Sequence, residues 1–239
     1  MIFKLANTVA KVPCIKKVLK PFYCRYRRKI DENRNKQFKK NGLNVLKTFD
    51  KIMIDNHIPY SVFAGTLLGT IRERGFISHD MDIDTAIFYS DRPENLSTLL
   101  SDNGFKLLHR FTIDNGKKGM EETYLKDDVT LDIFYVYQDN SFSTYQCDFH
   151  ALKGTVLCED SMKQYGYVGS RRLNFPVVHK FRRMPFLNIT VSVIENYDQW
   201  LTCRYGSNYM IPDPGFHDDG NNQYIIDEWL KADYQKFNP

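Results

Sequence analysis

The chain has 239 residues, of which 42% are hydrophobic and 14% aromatic, so it has enough apolar side chains for a sizeable core and is not disordered in composition. This length fits one domain, or one domain with an extension. No run of about 18 apolar residues occurs, so no transmembrane helix is expected, and no secretory signal is recognisable at the N-terminus. The five cysteines are scattered without a CxxC pair, which argues against a zinc site or a disulfide framework and favours a reducing cytosol.

The net charge of +4 is unevenly distributed along the chain. Residues 1–40 hold 13 Lys and Arg against two acids, and residues 1–30 hold nine basic residues and no acid, interleaved with apolar side chains. This pattern predicts a basic amphipathic arm over residues 1–30 that binds an anionic membrane surface, with Pro13 and Pro21 expected to interrupt its helix. A solvated terminus is the alternative, and nucleic acid is not the expected partner. Residues 31–239 are expected to form the folded domain.

The first predicted element of that domain is a long helix over residues 31–57, where apolar residues recur near helical spacing and His57-Ile58-Pro59 ends the pattern. A short β-type run over Tyr60–Ala64 leads into a glycine-bounded turn at Gly65–Gly69. A helix to about Gly75 follows this turn.

The next predicted elements alternate between strands and helices. A strand over 82–89 precedes a helix that starts with Asp91 as its N-cap and ends at Asn103-Gly104. Apolar patterns then predict strands over 105–112, 123–126 and 129–137, one or two within 141–158, and one over 186–194. Asp127-Asp128 is expected to turn the chain, and Tyr197–Tyr205 to form a helix that Gly206 closes. These elements predict an α+β fold with a largely antiparallel or mixed sheet.

Three carboxylates at alternate positions open the first long strand: Asp80, Asp82 and Asp84. Residues two apart on a strand share one face, so these groups form a negative cluster that is costly to bury without a cation. A divalent cation beside a phosphate-holding turn is the chemistry of phosphoryl or nucleotidyl transfer. A solvated strand face or a structural calcium site is the alternative, although the spacing is not that of an EF-hand. Asp80 is a candidate either to orient the loop or to accept a proton from an acceptor hydroxyl.

A fourth carboxylate, Asp132, lies in the apolar strand over 129–137 and needs a partner there. A cation shared with Asp82 and Asp84 supplies one if the two strands are adjacent. A sheet-edge carboxylate paired with an arginine is the alternative.

Residues near the carboxylates are candidates for binding the donor phosphates. The Gly65-Thr66 amides at a helix start suit a phosphate, and Arg72 and Arg74 could neutralise a diphosphate. Each also fits a purely structural or surface role. His79 fits phosphate or substrate binding as well as it fits a bond to a loop carbonyl.

Three further polar groups are expected to be solvated. They are the basic pairs Arg171-Arg172 and Arg182-Arg183 and the loop His217-Asp218-Asp219.

The run from Ala64 to Asp84 resembles the LicD family, which includes phosphocholine transferases of bacterial surface glycans and, more distantly, fukutin-type ribitol-phosphate transferases. The family run is similar to Gly-Gly-Thr-Leu-Leu-Gly, then Arg-x-Lys-Gly-Phe-Ile-Pro-Trp-Asp-Asp-Asp-Ile-Asp. The later Leu131-Asp132-Ile133-Phe134 resembles the third-carboxylate strand of the family. Tyr205-Gly206 with Tyr209 and Pro212 resembles its C-terminal box, so the resemblance spans residues 40–212. Ser78 and His79 replace Pro-Trp, and Met81 replaces the middle Asp.

The resemblance implies a nucleotidyltransferase-like mixed sheet core flanked by helices, with Mg²⁺ (or Mn²⁺) bound by Asp82, Asp84 and Asp132. It implies a phosphotransferase that moves phosphocholine or a phospho-polyol from a CDP-activated donor to a glycan or a lipid-linked saccharide. The expected location is cytoplasmic, peripheral at the inner face of the membrane. A nucleotidyltransferase that adds NMP to a small acceptor, or a non-catalytic glycan- or nucleotide-binding relative, are the alternatives. The changed residues Ser78 and His79 point to a cargo other than choline.

Overall fold

The computed structural model describes residues 13–178, 180–213, 215–216 and 226–237, and for residues 13–24, 26, 27 and 226–230 only the course of the backbone. Residues 1–12 of the predicted arm and the predicted loop at 217–219 lie outside the described residues. The described part contains five α-helices: α1 Pro13–Asp55, α2 Ala64–Arg72, α3 Leu96–Asp102, α4 Cys158–Tyr165 and α5 Tyr197–Tyr205. Its strands are β1 Ser61–Val62, β2 Asp82–Phe88, β3 Lys106–Ile113, β4 Gly119–Lys126, β5 Val129–Gln138, β6 Ser143–His150, β7 Val168–Pro176, β8 Phe181–Phe186, β9 Ile189–Ile194 and β10 Ile226–Lys236.

Eight strands form one mixed sheet in the order β1-β2-β5-β4-β3-β10-β7-β6, and β8 and β9 form a separate hairpin. Among the described strands only β2 and β5 run parallel, and the other pairs are antiparallel. The end of β5 also pairs with β6, through Tyr137 opposite Tyr145 and Gln138 opposite Thr144, so the strands from β5 round to β6 close into a ring. The predicted α+β fold, a mixed sheet flanked by helices, is confirmed.

Helix α1 is longer than predicted and crosses the expected boundary at residue 30 without a break. Pro21 was expected to interrupt it, but the backbone is helical from Pro13 onward. Its C-terminal half packs into the core through buried residues at helical spacing: Phe38, Val45, Leu46, Phe49, Ile52 and Met53. His57, with a φ of 55°, ends it as predicted, and the Ile58 amide returns to the Met53 carbonyl at 2.9 Å. No helix in the described ranges is both long and apolar enough to span a bilayer.

Helix α2 corrects the predicted turn at Gly65–Gly69, because the helix already starts at Ala64 and contains both glycines. Gly69 is needed for close packing: a Cβ there would lie 2.4 Å from the Gly75 carbonyl oxygen. That carbonyl belongs to the loop between α2 and β2, which therefore folds back against the helix. Ala64 has a φ of 40°, in the left-handed region that favours glycine.

Several other elements differ from the sequence expectations. Residues Tyr89–Asp91 form a 3₁₀ turn and α3 starts only at Leu96, so Asp91 is not its N-cap. The single strand expected over 186–194 is a hairpin that turns at Leu187, whose φ is 49°. Helix α4, strand β7 and strand β10 were not predicted. The Asp127-Asp128 turn and helix α5 are confirmed, with both aspartates at positive φ.

The basic pairs expected to be solvated are in fact largely engaged in ion pairs. Arg171 binds Asp148 at 3.1 Å and Arg172 binds Asp139 at 2.8 Å. Arg183 binds both carboxylate oxygens of Asp50, at 2.5 and 2.7 Å.

Asp50 joins helix α1 to the β8–β9 hairpin. It accepts both Arg183 bonds and a short hydrogen bond from the hydroxyl of Tyr60, and it is 8% exposed. A guanidinium and a phenol hydroxyl therefore share one acceptor. Because Tyr60 and Arg183 come from different elements, the carboxylate fixes the hairpin against the helix.

We expect Asp50→Ala to lower the free energy of unfolding by about 1–3 kcal/mol, because the buried Tyr60 hydroxyl loses its acceptor and Arg183 keeps only its bonds to Thr190. Urea denaturation measures the change. Asp55→Ala is the matched control, since it breaks an exposed ion pair with Lys51 on the same helix and is expected to cost less than about 0.5 kcal/mol. Equal losses in the two variants would contradict the role assigned to Asp50.

Candidate functional site

The candidate site lies where strands β2 and β5 run side by side. In their parallel register Asp84 is the Cα partner of Asp132, and Asp82 is the partner of Thr130. Since residues two apart share a face, Asp82, Asp84 and Asp132 all project from the same face of the sheet. The three carboxylates are therefore neighbours in the fold, as the sequence predicted.

Helix α2 holds Asp84 from its first turn. The Gly65 amide donates to Asp84 Oδ2 at 3.0 Å, and the Asp84 amide donates to Thr66 Oγ1 at 2.9 Å. A Cβ on Gly65 would lie 3.3 Å from Asp84 Oδ2 and 3.6 Å from both carboxylate oxygens of Asp80, so glycine lets the helix start approach the carboxylates. The Gly65 amide and the Thr66 hydroxyl already have partners on β2 in this structure, and their contact with a phosphate stays a prediction.

Asp132 is fixed from the opposite side by Thr123, whose hydroxyl donates to Asp132 Oδ1 at 2.5 Å. Thr123 is the antiparallel partner of Asp132 across the β4–β5 hairpin. Sequence reasoning missed Thr123, although the predicted turn at Asp127-Asp128 sets a register that places these two residues opposite each other. The hydrogen bond favours the charged form of Asp132.

Asp80 lies in the loop just before β2. Its amide donates to the Ile77 carbonyl at 3.0 Å, while its Oδ2 atom is buried and has no hydrogen-bond partner among the described residues. Burial and the charge of Asp82 raise the pKa of Asp80 to about 6, against an opposing effect of the neighbouring His79.

Burial raises the pKa of the other site carboxyls as well. Asp84 is raised well above its usual range by burial and by the charges of Asp82 and Asp132, with Arg204 opposing. The pKa of Asp132 rises to about 7, mainly by burial, and that of Asp82 is raised by burial. The positive charge of Arg34 on α1 opposes the shifts of Asp82 and Asp132. The site thus concentrates more negative charge than its neighbours neutralise.

Two residues near the carboxylates were not foreseen. Glu121 on β4 alternates with Thr123 and so shares its face; burial, then the charge of Asp132, raises its pKa well above the usual range. Arg204 on α5 acts on both Asp84 and Glu121, and its guanidinium lies 5.6 Å from the centre of the Phe63 ring. The sequence predicted the helix over 197–205, but it did not indicate that Arg204 lies near the carboxylates. That proximity arises from the packing of α5 against α2.

The remaining candidates lie around the loop that joins α2 to β2. Arg72 pairs with its neighbour Glu73 at 3.0 Å, and its side chain is 12% exposed. Arg74 and His79 are exposed. Within the described ranges, no hydrogen bond or ion pair joins Arg72 or Arg74 to the carboxylates, so their roles in donor binding stay predictions.

The donor set at this site is entirely oxygen, which suits a hard cation such as Mg²⁺. Among the described residues no three His, Cys, Asp or Glu side chains converge as a ready-made metal group. Mg²⁺ does not need such a cage, because it is commonly held by one or two carboxylates together with waters and substrate phosphates. The in-register pair Asp84 and Asp132, with the unsatisfied Asp80 oxygen beside them, fits that mode of binding.

A helix start packed onto a strand of alternating aspartates, with a further aspartate on the neighbouring parallel strand, is the site of this α+β fold, and it agrees with the nucleotidyltransferase-like core that the resemblance implied. Comparison with known families agrees: the family model described as LicD/FKTN/FKRP, nucleotidyltransferase domain, matches residues 57–196, more than half of the chain. The chain belongs to this LicD/FKTN/FKRP family, and the resemblance stated from the sequence is confirmed.

Individual relatives are more distant. The chain is 28% identical over 206 residues to ribitol-5-phosphate transferase FKTN of Macaca fascicularis and, equally, to that of Homo sapiens. Each match covers 84% of this chain and 40% of the relative, so the chain spans about two fifths of the length of these relatives. It is also 37% identical over 102 residues to an uncharacterised protein of Caenorhabditis elegans, across 40% of this chain and 24% of that protein.

The raised pKa values predict how the stability of the metal-free protein depends on pH. Asp80 and Asp132 have folded-state pKa values of about 6 and about 7 against a usual value of 3.8, so the folded protein holds more protons than the unfolded chain between these limits. The stability that these two groups contribute to the folded protein is therefore greatest below pH 4, and it is lost as the pH rises through 6 and 7. In EDTA, we expect the urea midpoint to fall between pH 5 and pH 8.

Asp132→Asn tests the source of this dependence, since an amide cannot ionise. The variant is expected to lose less stability than the wild type over the same pH interval. Asp128→Asn, at the exposed β4–β5 turn, is the control and is expected to follow the wild-type curve. Parallel curves for wild type and Asp132→Asn would show that Asp132 is not the titrating group.

Proposed function

We propose that this chain is a metal-dependent phosphotransferase that moves a phospho-alcohol group from a CDP-activated donor to a sugar hydroxyl of a glycan or its lipid-linked precursor. The observation that carries the proposal is the pair Asp84 and Asp132, in register on parallel strands and held by α2 on one side and Thr123 on the other. Membership of the family supports the same class of reaction, as does the activity for which the FKTN relatives are named, the transfer of ribitol-5-phosphate.

Asp82, Asp84 and Asp132 are the residues that would hold the divalent cation, Mg²⁺ or Mn²⁺. When bound, such a cation supplies charge neutralisation for the donor diphosphate and the leaving CMP. The chain's own contribution is to fix the carboxylates before substrate arrives: Gly65 bonds Asp84, and Thr123 bonds Asp132. Held in place, they need little reorganisation during the reaction.

The acceptor must lose a proton as it reacts. Its hydroxyl oxygen forms a bond to the phosphorus that carries the alcohol, the bond between that phosphorus and the CMP oxygen breaks, and CMP leaves. Asp80 is suited to take the hydroxyl proton, because its buried Oδ2 has no hydrogen-bond partner among the described residues and lies beside the start of α2. Arg72, Arg74, His79 and the Gly65-Thr66 segment are the proposed contacts for the donor phosphates.

We expect Asp82→Asn and Asp84→Asn each to lower kcat by at least about 100-fold, because the charge that the cation needs is removed. The folded state is expected to keep its melting temperature or gain slightly, since repulsion among neighbouring carboxylates is relieved. CMP release from a CDP-alcohol in the presence of acceptor measures turnover. Pyrophosphate release from an NTP would instead indicate a nucleotidyltransferase.

Binding of the cation is measured separately from turnover. Mn²⁺ titration followed by electron paramagnetic resonance is expected to show weaker binding in both variants. Asp128→Asn, which removes an exposed carboxylate at the β4–β5 turn, should bind Mn²⁺ and turn over like the wild type. Near-normal activity and Mn²⁺ affinity in Asp84→Asn would overturn the assignment of the metal.

We also propose that the basic segment at the start of the chain, residues 1–30, holds the enzyme at the inner face of the cell membrane from the cytoplasm. The described basic side chains of its helical part, Arg25, Arg28 and Lys29, are exposed. Each basic residue near an anionic leaflet contributes about 1 kcal/mol of binding. Nucleic acid is not proposed as a partner.

Changing Arg25, Arg28 and Lys29 together to glutamate is expected to abolish co-sedimentation with phosphatidylserine vesicles at low salt, because three favourable charges become repulsive. Activity on a short soluble acceptor should be kept. Changing Lys106, Lys117 and Lys118, exposed on and around β3, to glutamate alters the net charge equally and is expected to leave vesicle binding largely intact. Equal losses in both triple variants would show that the segment is not the anchor.

A further inference from the structure

The tip of the β8–β9 hairpin is bonded to the loop that joins α2 to β2. The Leu187 amide donates to the Arg74 carbonyl at 2.6 Å. Both residues have left-handed backbone conformations, with φ values of 49° and 53°. Residues other than glycine adopt this conformation at a cost, and they keep it only where the surrounding structure holds them there. Two unfavourable conformations thus meet at one backbone hydrogen bond.

Neither the turn nor burial explains a leucine at this tip. Leu187 and Asn188 form the two-residue turn between Phe186 and Ile189, and the favoured turns of this length have a positive φ at the first position, where glycine is preferred. Leu187 is also 59% exposed, so it gains little from the core. The contacts that its side chain does make are therefore informative.

The Leu187 side chain packs over Gly75 in the loop. A Cβ on Gly75 would lie 3.0 Å from Leu187 Cδ2 and 3.3 Å from its Cγ, so the missing side chain makes room for the leucine. On the other side, the Gly75 carbonyl oxygen lies against α2, 2.4 Å from where a Cβ on Gly69 would be. The loop at Gly75 is therefore enclosed between helix α2 and the hairpin tip.

The hairpin that carries this tip is itself fixed to helix α1. Arg183 on β8 binds both carboxylate oxygens of Asp50, at 2.5 and 2.7 Å. Nearer the tip, the ring centre of Phe186 is 4.7 Å from that of Phe76 in the loop, and the Phe76 ring is 4.6 Å from Phe38 on α1. The hairpin is thus anchored along its length, and its tip can hold the loop in one position.

The loop that the tip holds leads directly to the carboxylate site. Ile77 is 6% exposed, and its carbonyl accepts the Asp80 amide at 3.0 Å. Asp80 in turn reaches the start of α2, where a Cβ on Gly65 would lie 3.6 Å from both of its carboxylate oxygens. Arg74, a proposed contact for the donor phosphates, lies in the same loop. A shift of the loop at the hairpin tip would therefore move both of these groups.

We propose that the β8–β9 hairpin braces the α2–β2 loop, and that Leu187 is a positioning residue that fixes this loop for binding of the donor diphosphate. The inference rests on the proposed function and deepens it, because it adds to the site a residue from outside the carboxylate motif. Leu187 touches no substrate. It acts through its bond to the Arg74 backbone and through its packing over Gly75.

The test uses Leu187→Gly on the full chain, with CDP affinity measured by calorimetry in the presence of Mn²⁺. The variant is expected to bind CDP roughly 3- to 10-fold more weakly, because the loop that carries Arg74 loses the side chain that holds it. Its melting temperature is expected to stay close to that of the wild type, since glycine relieves the strained φ at this position. A role confined to the stability of the turn predicts instead a changed melting temperature with unchanged CDP affinity.

Two variants at the same turn are the matched controls. Leu187→Met keeps an apolar side chain of similar size over Gly75 and is expected to bind CDP like the wild type. Asn188→Gly loosens the neighbouring exposed position of the turn and leaves Leu187 in place, so it is also expected to bind CDP normally. Circular dichroism checks that each variant is folded.

A double-mutant cycle identifies the contact through which Leu187 acts. Gly75→Ala places a methyl group 3.0 Å from Leu187 Cδ2, so the loop or the hairpin tip must shift, and CDP binding is expected to weaken. In the Leu187→Gly background the same methyl group meets no leucine, and Gly75→Ala is expected to add little further loss. Losses that simply add would contradict the contact. Gly75→Ala alone carries the test if Leu187→Gly does not fold, and unchanged CDP affinity in it would then be the contrary result.

The outcomes separate this inference from the proposed function. Weaker CDP binding in Leu187→Gly that Leu187→Met does not share assigns the positioning role. Wild-type CDP affinity in Leu187→Gly, or an equal loss in Asn188→Gly, would overturn that role, while CDP binding by the wild type upholds the donor site. A wild type that binds no CDP in the presence of Mn²⁺ would remove both.

Discussion

The structure depends on how it holds four carboxylates close together at one point of the sheet. Asp84 and Asp132 are neighbours in a parallel register, with Asp82 on the same face and Asp80 beside the start of α2. Burial and mutual repulsion raise the pKa of these groups, so the cluster is unfavourable by itself. A fold that keeps such a cluster must hold it by contacts formed elsewhere, and under the proposed function a bound cation would relieve it.

Those contacts come from three directions. Helix α2 contributes the Gly65 amide and the Thr66 hydroxyl, β4 contributes Thr123, and α5 brings the positive charge of Arg204 towards Asp84. Behind α2, the absence of a side chain at Gly69 lets the loop to β2 fold back against the helix. The glycines of the motif therefore shape the backbone around the carboxylates, and their fit to a phosphate would come in addition to that.

The sequence predicted the strands that carry the carboxylates better than it predicted β8, β9 and β10, and the reasons are physical. Alternation fixes which residues of a strand share a face, so the common face of Asp82 and Asp84 followed from their spacing. Asp132 was placed beside them because a carboxylate in an apolar strand needs a partner. The Asp127-Asp128 turn fixes the register of its hairpin in the same way. The β8–β9 turn carries no such signal, because Leu187 and not glycine takes the left-handed conformation there. Strand β10 was missed because five of its eleven residues are charged and its partners are distant in sequence.

Helix α4 did carry signals in the sequence. It has two acidic residues in its first turn and ends at Gly166, with a φ of 77°. Arg204, in contrast, gains its surroundings from the packing of α5. No pattern in the local sequence indicates such contacts.

The placement of β10 between β3 and β7 has a consequence for how the chain folds. Residues Ile226–Lys236 pair with both β3 and β7, which precede them by a long stretch of chain. The β2–β5–β4–β3 half can form from nearer segments, whereas the ring needs a loop closure of high contact order. We therefore expect the carboxylate pair to form with this half of the sheet, and the contacts of β10 that complete the ring to form later.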